Sequence, residues 1–222
     1  RLIIYNIMNV VIFGFGRAGK IHYDSVCSNS SLNLKYIYDI DKSLKEKVKY
    51  VNCLITDNLN LILNDTGIDI AIICTPTNTH YELVKKCIKS KIHILCEKPL
   101  AETEEQIIEC FNLADEYSIR LLCALNRRFD PQIINLRENY KNNKIGVVHQ
   151  INTISRDYPY PTSNYLEISS GIFHDCAIHD IDFVNWIIDD IPINVFVSGN
   201  FVKPHEINRG TLDNAIIILE YP

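Results

Sequence analysis

The sequence predicts an α/β fold in which a doubly wound parallel sheet is followed by a second domain of the α+β class. In the first half of the chain, short apolar runs alternate with helical segments, the pattern of parallel strands joined by helical crossovers. A glycine-rich turn directly after the first of these runs indicates a strand joined tightly to a helix. Beyond about residue 126, apolar runs follow one another without regular helices, which indicates an open, mostly antiparallel sheet.

The first domain, residues 1–126, is predicted to contain five strands with helices between them. The run at residues 70–74 is continuously apolar, as expected for a strand buried on both faces. The predicted strands cover residues 10–13, 34–38, 70–74, 92–96 and 120–124. The predicted helices cover residues 18–28, 42–50, 77–90 and 103–117. Thr77 is placed to cap the third helix, and Thr103 with Gln106 to form a capping box for the fourth.

The second domain, residues 127–222, is predicted to begin with a helix at Asp130-Pro131, because proline is favoured at the first helical position. After it we predict a strand at residues 147–155 and a turn-rich stretch at residues 157–164. A helix that contains Asp175 and His179 and ends near Asp189 follows, and then two more strands at residues 195–202 and 214–221. A sheet of three strands with one covering helix makes a thin domain. We therefore expect this domain to be incomplete at its C-terminus.

Composition excludes several classes of protein. The 222 residues are 47% hydrophobic and 22% charged, and a formal charge of −5 makes nucleic acid a poor partner. The apolar start leads directly into the glycine motif without a cleavage-site pattern, and no stretch approaches the length of a membrane span, so neither a signal peptide nor a membrane partner is predicted. Eight cysteines without a C-x-x-C pair predict reduced thiols, a cytoplasmic location and no metal site.

A G-x-G-x-x-G motif follows the first predicted strand and opens the next helix. Its six residues are assigned to cofactor binding: Gly14, Phe15, Gly16, Arg17, Ala18 and Gly19. Gly14 permits the tight turn, Gly16 lets the backbone approach a pyrophosphate, and Gly19 allows the helix to pack closely on the strand. A purely structural glycine turn is the alternative, but the strand, the helix and a following acidic residue complete a Rossmann dinucleotide site.

The acidic residue is Asp39, which ends the next predicted strand twenty residues after Gly19. A carboxylate at this position binds both ribose hydroxyls and repels a 2′-phosphate. The sequence continues Ile40-Asp41-Lys42, without an arginine to receive that phosphate. NAD is therefore the predicted cofactor, while Lys42 keeps NADP open as an alternative.

The segment Gly171-Ile-Phe-His-Asp-Cys-Ala-Ile-His-Asp-Ile-Asp182 contains Asp175 and His179, four residues apart. In a helix these two side chains share one face. A carboxylate beside an imidazole orients the ring, as a general base for a substrate hydroxyl requires. Taken alone, the pair is more typical of a surface ion pair. His174 and Asp180 fall on other faces of the predicted helix and are not assigned.

Several motifs in order resemble those of the Gfo/Idh/MocA oxidoreductases, and within that family most closely the inositol 2-dehydrogenases. They are Gly14-Phe-Gly-Arg-Ala-Gly-Lys-Ile-His22, Cys74-Thr-Pro-Thr-Asn-Thr-His80, Cys96-Glu-Lys-Pro-Leu100, Asn126-Arg-Arg-Phe-Asp-Pro131, Ser155-Arg-Asp157 and the segment containing His179. The resemblance covers the chain from about Asn9. It implies an NAD-dependent enzyme that oxidises a secondary alcohol of a cyclic polyol or sugar, with myo-inositol as the first candidate.

The resemblance also implies roles for individual residues. His179 would accept the hydroxyl proton, while Lys98 and Asp175 would orient the hydroxyl and stabilise charge, and the Lys98–Pro99 peptide would be cis. Residues implied on the cofactor side are Thr75, Pro76, His80, Glu97, Lys98 and Asn126. Residues implied on the substrate side are Lys98, Arg127, Asp157, Tyr158, Asp175 and His179, with Arg156 as a further candidate. For Asp157, a role in starting the Tyr-Pro-Tyr-Pro turn is an equal alternative.

Departures from the family pattern leave other functions open. Ser170 stands where relatives often have glycine, and His174 where an aliphatic residue is usual, so the substrate could instead be a dihydrodiol or a sugar derivative. A dinucleotide-binding protein without turnover is the alternative from another class. By resemblance, a full-length protein would assemble as a homodimer or homotetramer through its open sheet.

Overall fold

The computed structural model describes residues 7–48, 52–160, 171–200 and 212–222. The chain divides into two compact units, residues 1–124 and residues 125–222, which we describe separately. Parts of four predicted elements lie outside the described residues: the apolar start, the end of the helix at 42–50, the second half of the turn at 157–164 and the end of the strand at 195–202.

The first unit is built on a parallel sheet of six strands in the order β3-β2-β1-β4-β5-β6. The strands are β1 (Met8–Phe13), β2 (Leu32–Tyr38), β3 (Leu54–Thr56), β4 (Ile70–Ile73), β5 (His93–Cys96) and β6 (Leu121–Cys123). The helices are α1 (Arg17–Cys27), α2 (Leu44–Lys47), α3 (Leu59–Leu63), α4 (His80–Lys89) and α5 (Glu104–Glu116). This is the strand order of a dinucleotide-binding sheet, whose ligand crevice lies where the order reverses, between β1 and β4. The predicted fold class is confirmed, although β3 and α3 were not predicted.

The two central strands lie between two apolar layers. Val10, Val11, Ile12 and Phe13 of β1 are all 0% exposed. Val11 and Phe13 belong to one core cluster, whereas Val10 and Ile12 belong to a second cluster that also contains Ile72 of β4. Successive side chains of a strand point to opposite faces, so both faces of the sheet are covered, as a doubly wound sheet requires.

The helix starts follow the sequence predictions only in part. Thr103 Oγ1 accepts a hydrogen bond from the Gln106 backbone N–H at 3.3 Å, and the Gln106 side chain accepts one from the Glu102 N–H at 3.1 Å. The two predicted capping residues are therefore correct, although the Gln106 side chain bonds to the backbone N–H of Glu102 and not to that of Thr103. The prediction that Thr77 caps α4 is wrong, because Thr77 lies inside a 3-10 turn and α4 begins at His80.

The second unit contains two described α-helices and an antiparallel pair of strands. These elements are α6 (Pro131–Lys141), α7 (Ile178–Ile188), β7 (Asn194–Asn200) and β8 (Asn214–Glu220). The Asp130 side chain accepts a hydrogen bond from the Gln132 N–H at 2.7 Å, so Asp130 caps α6 as the Asp-Pro sequence predicts. The helix α7 ends at Ile188 and is followed by its C-cap residue Asp189, which has a left-handed φ of 64°. Phe183, Val184 and Ile187 bury its apolar side.

The prediction of a strand at residues 147–155 is wrong. The described backbone there has no regular pairing, and Val147 and Ile154 are 78% and 81% exposed. A strand needs a neighbour to receive its N–H and C=O groups. Within the described part of this unit, β7 and β8 pair with each other. The partial alternation of apolar and polar residues at 147–155 predicted a strand, but such a pattern does not show whether a pairing strand is present.

We expect Asp65→Asn to destabilise the first unit. Asp65 accepts hydrogen bonds from Lys35 and from the Tyr36 hydroxyl, each at 2.7 Å, and these contacts lower the pKa of the Asp65 carboxyl from 3.8 to about 2. A carboxyl group whose pKa is lower in the folded than in the unfolded protein stabilises the fold at pH values above the unfolded pKa. This stabilisation is lost as the pH falls through the folded pKa. At neutral pH the loss should be about 1 kcal/mol, because water reaches Lys35 and screens the pair.

Chemical denaturation at pH 7 and at several values between pH 4 and pH 2 measures this contribution. The native protein should lose stability across that acidic range, whereas the Asp65→Asn protein should lose less. Glu116→Gln, at the exposed end of α5, serves as the control. Equal acid sensitivity of the native and Asp65→Asn proteins would contradict the prediction.

Among the described residues, no helix combines the length and the apolar character that crossing a bilayer requires.

Candidate active site

The glycine motif forms the turn between β1 and α1, and two of its glycines are required by the backbone itself. Gly14 has a φ of +85°, and a Cβ there would lie 2.8 Å from the carbonyl oxygen of Cys74. A Cβ at Gly19 would lie 2.1 Å from the carbonyl oxygen of Gly14. Any side chain at Gly19 would therefore push α1 away from the turn.

Gly16 is different, because a Cβ there would meet nothing within 4 Å. It is the N-cap of α1 and has no side chain to satisfy the first N–H groups of the helix. Open space beside a helix N-terminus fits an anionic group such as a pyrophosphate. The exposed Arg17 and half-buried Ala18 begin the helix, while the buried Phe15 contributes its backbone.

Asp39 lies at the end of β2 with its carboxylate already oriented. One oxygen accepts a hydrogen bond from the Phe15 N–H at 2.8 Å, and the other accepts one from the Asp41 N–H at 2.9 Å. A depression of about 150 Å³ beside it is lined by Asp39, Asp41, Lys42, Ile55, Thr56 and Asp57. Lys42 Nζ lies 3.9 Å from Asp57, among carboxylates that disfavour a phosphate. These residues fit an adenosine ribose with free hydroxyls.

We expect the protein to bind NAD at least about ten-fold more tightly than NADP, because a 2′-phosphate would meet the oriented Asp39 carboxylate. Asp39→Asn should narrow this ratio by removing the charge. Isothermal titration with both nucleotides measures the ratio, and Asp115→Asn, which removes an exposed carboxylate of α5, is the control. Tighter binding of NADP by the native protein would overturn this assignment of Asp39.

Lys98 follows β5 in the segment Glu97-Lys98-Pro99, at the carboxyl end of the parallel sheet. The Lys98–Pro99 peptide is cis, as expected. Glu97 Oε1 lies 2.8 Å from His22 Nε2 of α1. Burial alone would raise the pKa of the Glu97 carboxyl, but the hydrogen bond and charge of His22, together with the backbone N–H and charge of Lys98, lower it. Glu97 is therefore held as a carboxylate next to Lys98.

His80 supports the neighbouring loops from behind. It is 1% exposed, its Nδ1 lies 2.8 Å from the Pro99 carbonyl oxygen, and its Nε2 lies 2.8 Å from the Thr75 carbonyl oxygen. The ring thereby connects the loop after β4, which carries Thr75 and Pro76, to the loop after β5. This geometry gives His80 a supporting position in place of the direct cofactor contact that the resemblance implies.

Three cysteines lie at the same end of the sheet: Cys74 after β4, Cys96 at the end of β5 and Cys123 at the end of β6. Burial, with the nearby charge of Glu97, raises the pKa of the Cys74 thiol to about 12. Burial also raises the pKa of Cys96. Such thiols stay protonated and unreactive at neutral pH. All eight cysteines, which lie within the described residues, are outside disulfides, and the described residues contain no cluster of His, Cys, Asp or Glu suited to a metal ion.

In the second unit, Asp175 and His179 lie on one continuous helical segment, but its geometry changes between them. Asp175 is in a π-helical turn, Phe173–Ala177, and His179 is in the first turn of α7. A step of four residues nearly completes a turn in either geometry, so both half-buried side chains remain on the same side. Single π-turns occur frequently at functional sites, and this one was not predicted.

Arg127 and Arg128 attach their turn to α7 through two carboxylates. Arg127 Nη1 lies 2.9 Å from Asp180, and the Ser155 hydroxyl donates to the same carboxylate at 2.7 Å. Arg128 Nε donates to Asp182 at 2.8 Å. Two donors of Arg127, which the resemblance implies would face the substrate, are thus engaged with Asp180 and Ser155. Asp180 is not among the site residues predicted from the sequence. Two consecutive arginines, together with two aspartates spaced two residues apart in a helix, were the available signal for the two ion pairs.

The remaining substrate-side candidates lie in the second unit. Asp157 accepts a weak hydrogen bond from the Cys176 thiol at 3.3 Å, which places it against the π-helical turn. Tyr158 is 97% exposed, and Arg156 is exposed as well. Asn126 begins a 3-10 turn, Asn126–Phe129, directly after β6 and its loop.

Family models match both units. Residues 8–124 match the oxidoreductase family with an NAD-binding Rossmann fold, and residues 133–222 match the GFO/IDH/MocA C-terminal domain. Myo-inositol 2-dehydrogenase of Thermotoga maritima is 33% identical over 96% of the chain, and inositol 2-dehydrogenase of Rhizobium meliloti is 29% identical over 94%. The chain spans 65% and 64% of the lengths of these two relatives.

A solved structure shows the same fold. The crystal structure of a myo-inositol dehydrogenase from Corynebacterium glutamicum matches 96% of the chain, and the chain covers 64% of that protein, with a TM-score of 0.85 and 28% identity. Together with the matches to both family models and the oriented Asp39 beside an open glycine turn, this places the chain in a family. The chain belongs to the Gfo/Idh/MocA oxidoreductases and carries their NAD-binding Rossmann domain.

Proposed function

We propose that the protein is an NAD-dependent dehydrogenase that oxidises a secondary alcohol of a cyclic polyol or sugar, with myo-inositol as the first candidate. The observation that carries the proposal is that Lys98 follows the carboxyl end of β5, at the same edge of the parallel sheet as the glycine turn after β1 and the oriented Asp39 after β2, both of which fit NAD. Two relatives named inositol 2-dehydrogenase, at 33% and 29% identity, support the substrate class.

The chemistry assigns one task to each of three residues. Bound NAD supplies the acceptor for the hydride. His179 accepts the proton of the substrate hydroxyl, since an imidazole is a suitable base near neutral pH. Asp175, on the same side of the helical segment, orients the base and the hydroxyl. The ammonium group of Lys98 stabilises the negative charge that develops on the carbinol oxygen.

Other residues bind and support. Thr75, Pro76, Glu97 and Asn126 are proposed on the cofactor side, with His80 supporting their loops. Asp157 and Tyr158 are proposed to contact the polyol, since Asp157 already touches the π-helical turn that carries Asp175. Arg127 is proposed to act on the substrate only indirectly, by holding α7 through Asp180.

For the whole protein we propose a cytoplasmic homo-oligomer, dimer or tetramer. The eight cysteines form no disulfide among the described residues, and burial raises the thiol pKa at positions such as Cys74, which suits a reducing compartment. The exposed face of the β7–β8 pair suits contact with another subunit: Phe196, Ile216 and Ile218 are 60%, 65% and 58% exposed.

Reduction of NAD, followed by absorbance with myo-inositol, a trans-dihydrodiol and glucose as separate substrates, tests the proposal. Turnover with myo-inositol is the expected result. Turnover with the dihydrodiol alone would contradict the proposed polyol or sugar substrate and would assign the enzyme to dihydrodiol oxidation. NAD binding without turnover of any of the three would contradict the proposed enzyme and favour a non-catalytic dinucleotide-binding protein.

A further inference from the structure

The helix whose N-terminus would hold the pyrophosphate also reaches the segment that carries Lys98. α1 begins at Arg17, beside the open space at Gly16. His22, in the same helix, places Nε2 at 2.8 Å from Glu97 Oε1. Their side chains are 19% and 24% exposed, so the contact is largely shielded from water. The residue that precedes Lys98 is therefore attached to the cofactor-binding helix.

Glu97 transmits this attachment to the backbone of Lys98. Its carboxylate accepts a hydrogen bond from the Lys98 backbone N–H and lies within the electrostatic field of the Lys98 ammonium. The Glu97 N–H also donates to the Ile73 carbonyl oxygen at 2.9 Å. The Glu97 side chain thus connects His22 to Lys98, while its own backbone is fixed to β4.

The other side of Lys98 is held independently. Pro99 is buried, and its carbonyl oxygen lies 2.8 Å from Nδ1 of His80. The flexible side chain of Lys98 therefore starts from a backbone fixed at both neighbours. Loss of His22 would leave the partly buried Glu97 carboxylate without the ring nitrogen that lies 2.8 Å from it, and a carboxylate that loses such a hydrogen-bond partner moves toward water or takes up a proton. Either response would loosen the hydrogen bond that the Lys98 backbone N–H donates to the Glu97 carboxylate.

We propose that His22 is a positioning residue for Lys98: through Glu97 it fixes the backbone from which Lys98 extends, and it ties that backbone to the helix that binds the pyrophosphate. The proposal rests on the proposed function, in which Lys98 stabilises the developing alkoxide. It assigns His22 no direct contact with substrate or cofactor.

The kinetic test compares His22→Ala, His22→Gln and Ser25→Ala with the native enzyme. His22→Ala should lower kcat by about 10- to 100-fold, because small displacements of a catalytic group have effects of this size, while KM for NAD changes less than about three-fold. His22→Gln, which keeps an N–H donor at similar reach, should recover most of the loss. Ser25→Ala should match the native enzyme, because Ser25 is exposed and bonds within its own helix.

A second readout needs no turnover. The rate at which acetic anhydride labels Lys98, relative to the exposed Lys91, is followed by peptide mass spectrometry in the protein without substrate. Labelling of Lys98 should be at least about three-fold faster in His22→Ala, since side-chain reactivity follows access and local order. Glu97→Gln should produce a similar increase, and adding His22→Ala to it should produce no more.

The two readouts separate failure of this inference from failure of the proposed function. Faster labelling of Lys98 in a protein that oxidises no polyol would keep the positioning role and reject the dehydrogenase. Equal labelling in the native and His22→Ala proteins would overturn the positioning role, whatever the effect on kcat. A fall in kcat accompanied by weaker NAD binding and a lower Tm would also overturn it, because His22 would then support the fold alone.

Discussion

Replacing His179 with alanine is expected to lower kcat for polyol oxidation by about 10²- to 10⁴-fold, the usual contribution of a general base. The affinity for NAD should not change, since the residues that fit NAD lie in the first unit. The helix should also remain folded, because Phe183, Val184 and Ile187 bury its apolar side and Arg127 and Asp180 hold its polar side. The fall in kcat would therefore reflect loss of proton transfer and not loss of NAD binding or of the fold.

Steady-state kinetics with saturating NAD and myo-inositol, together with the thermal unfolding midpoint, check this result. His149→Ala is the matched control, because it removes an exposed imidazole from the second unit at a residue with no proposed role in the site. It should keep kcat within about three-fold, as expected for a surface substitution. Undiminished turnover in His179→Ala would reject the mechanism while leaving the family and the cofactor unaffected.

The sheet of the first unit was predictable wherever a strand is buried on both faces. Such strands are continuous apolar runs, as in β1, where four successive residues are 0% exposed. The strand β3, by contrast, has three residues and begins with Leu54, which is 51% exposed. It is a strand because it pairs with β2, and the presence of a pairing strand cannot be recognised in the local sequence of β3. The same reason explains the incorrect strand at residues 147–155.

The candidate site divides in a similar way. The glycine motif and Asp39 were predictable because a positive φ, a close helix contact and a strand end each restrict the residue at a fixed position. The His22–Glu97 contact joins residues 75 apart, and the Arg127–Asp180 contact joins residues 53 apart. Local periodicity contains no information on such pairs. The π-helical turn was missed because its apolar pattern does not differ detectably from that of an α-helix.

Two alanine substitutions in the glycine motif should separate support of the fold from binding of the cofactor. Gly19→Ala would place a methyl group 2.1 Å from the Gly14 carbonyl oxygen, so α1 must move. We expect it to lose about 2–4 kcal/mol of stability, the range for strain that the backbone cannot avoid, together with most of its affinity for NAD. Gly16 has a φ of −72° and nothing within 4 Å of a Cβ, so the stability of Gly16→Ala should stay within about 0.5 kcal/mol of the native value.

Gly16→Ala should nevertheless bind NAD at least about ten-fold more weakly, because its methyl group occupies the space through which the backbone approaches the pyrophosphate. Urea unfolding without nucleotide and isothermal titration with NAD measure the two effects separately, and each variant is the control for the other. Native affinity in Gly16→Ala would mean that the pyrophosphate does not lie against Gly16. Native stability in Gly19→Ala would mean that the turn can open without cost, and the close contact between α1 and Gly14 would then not be what requires glycine at that position.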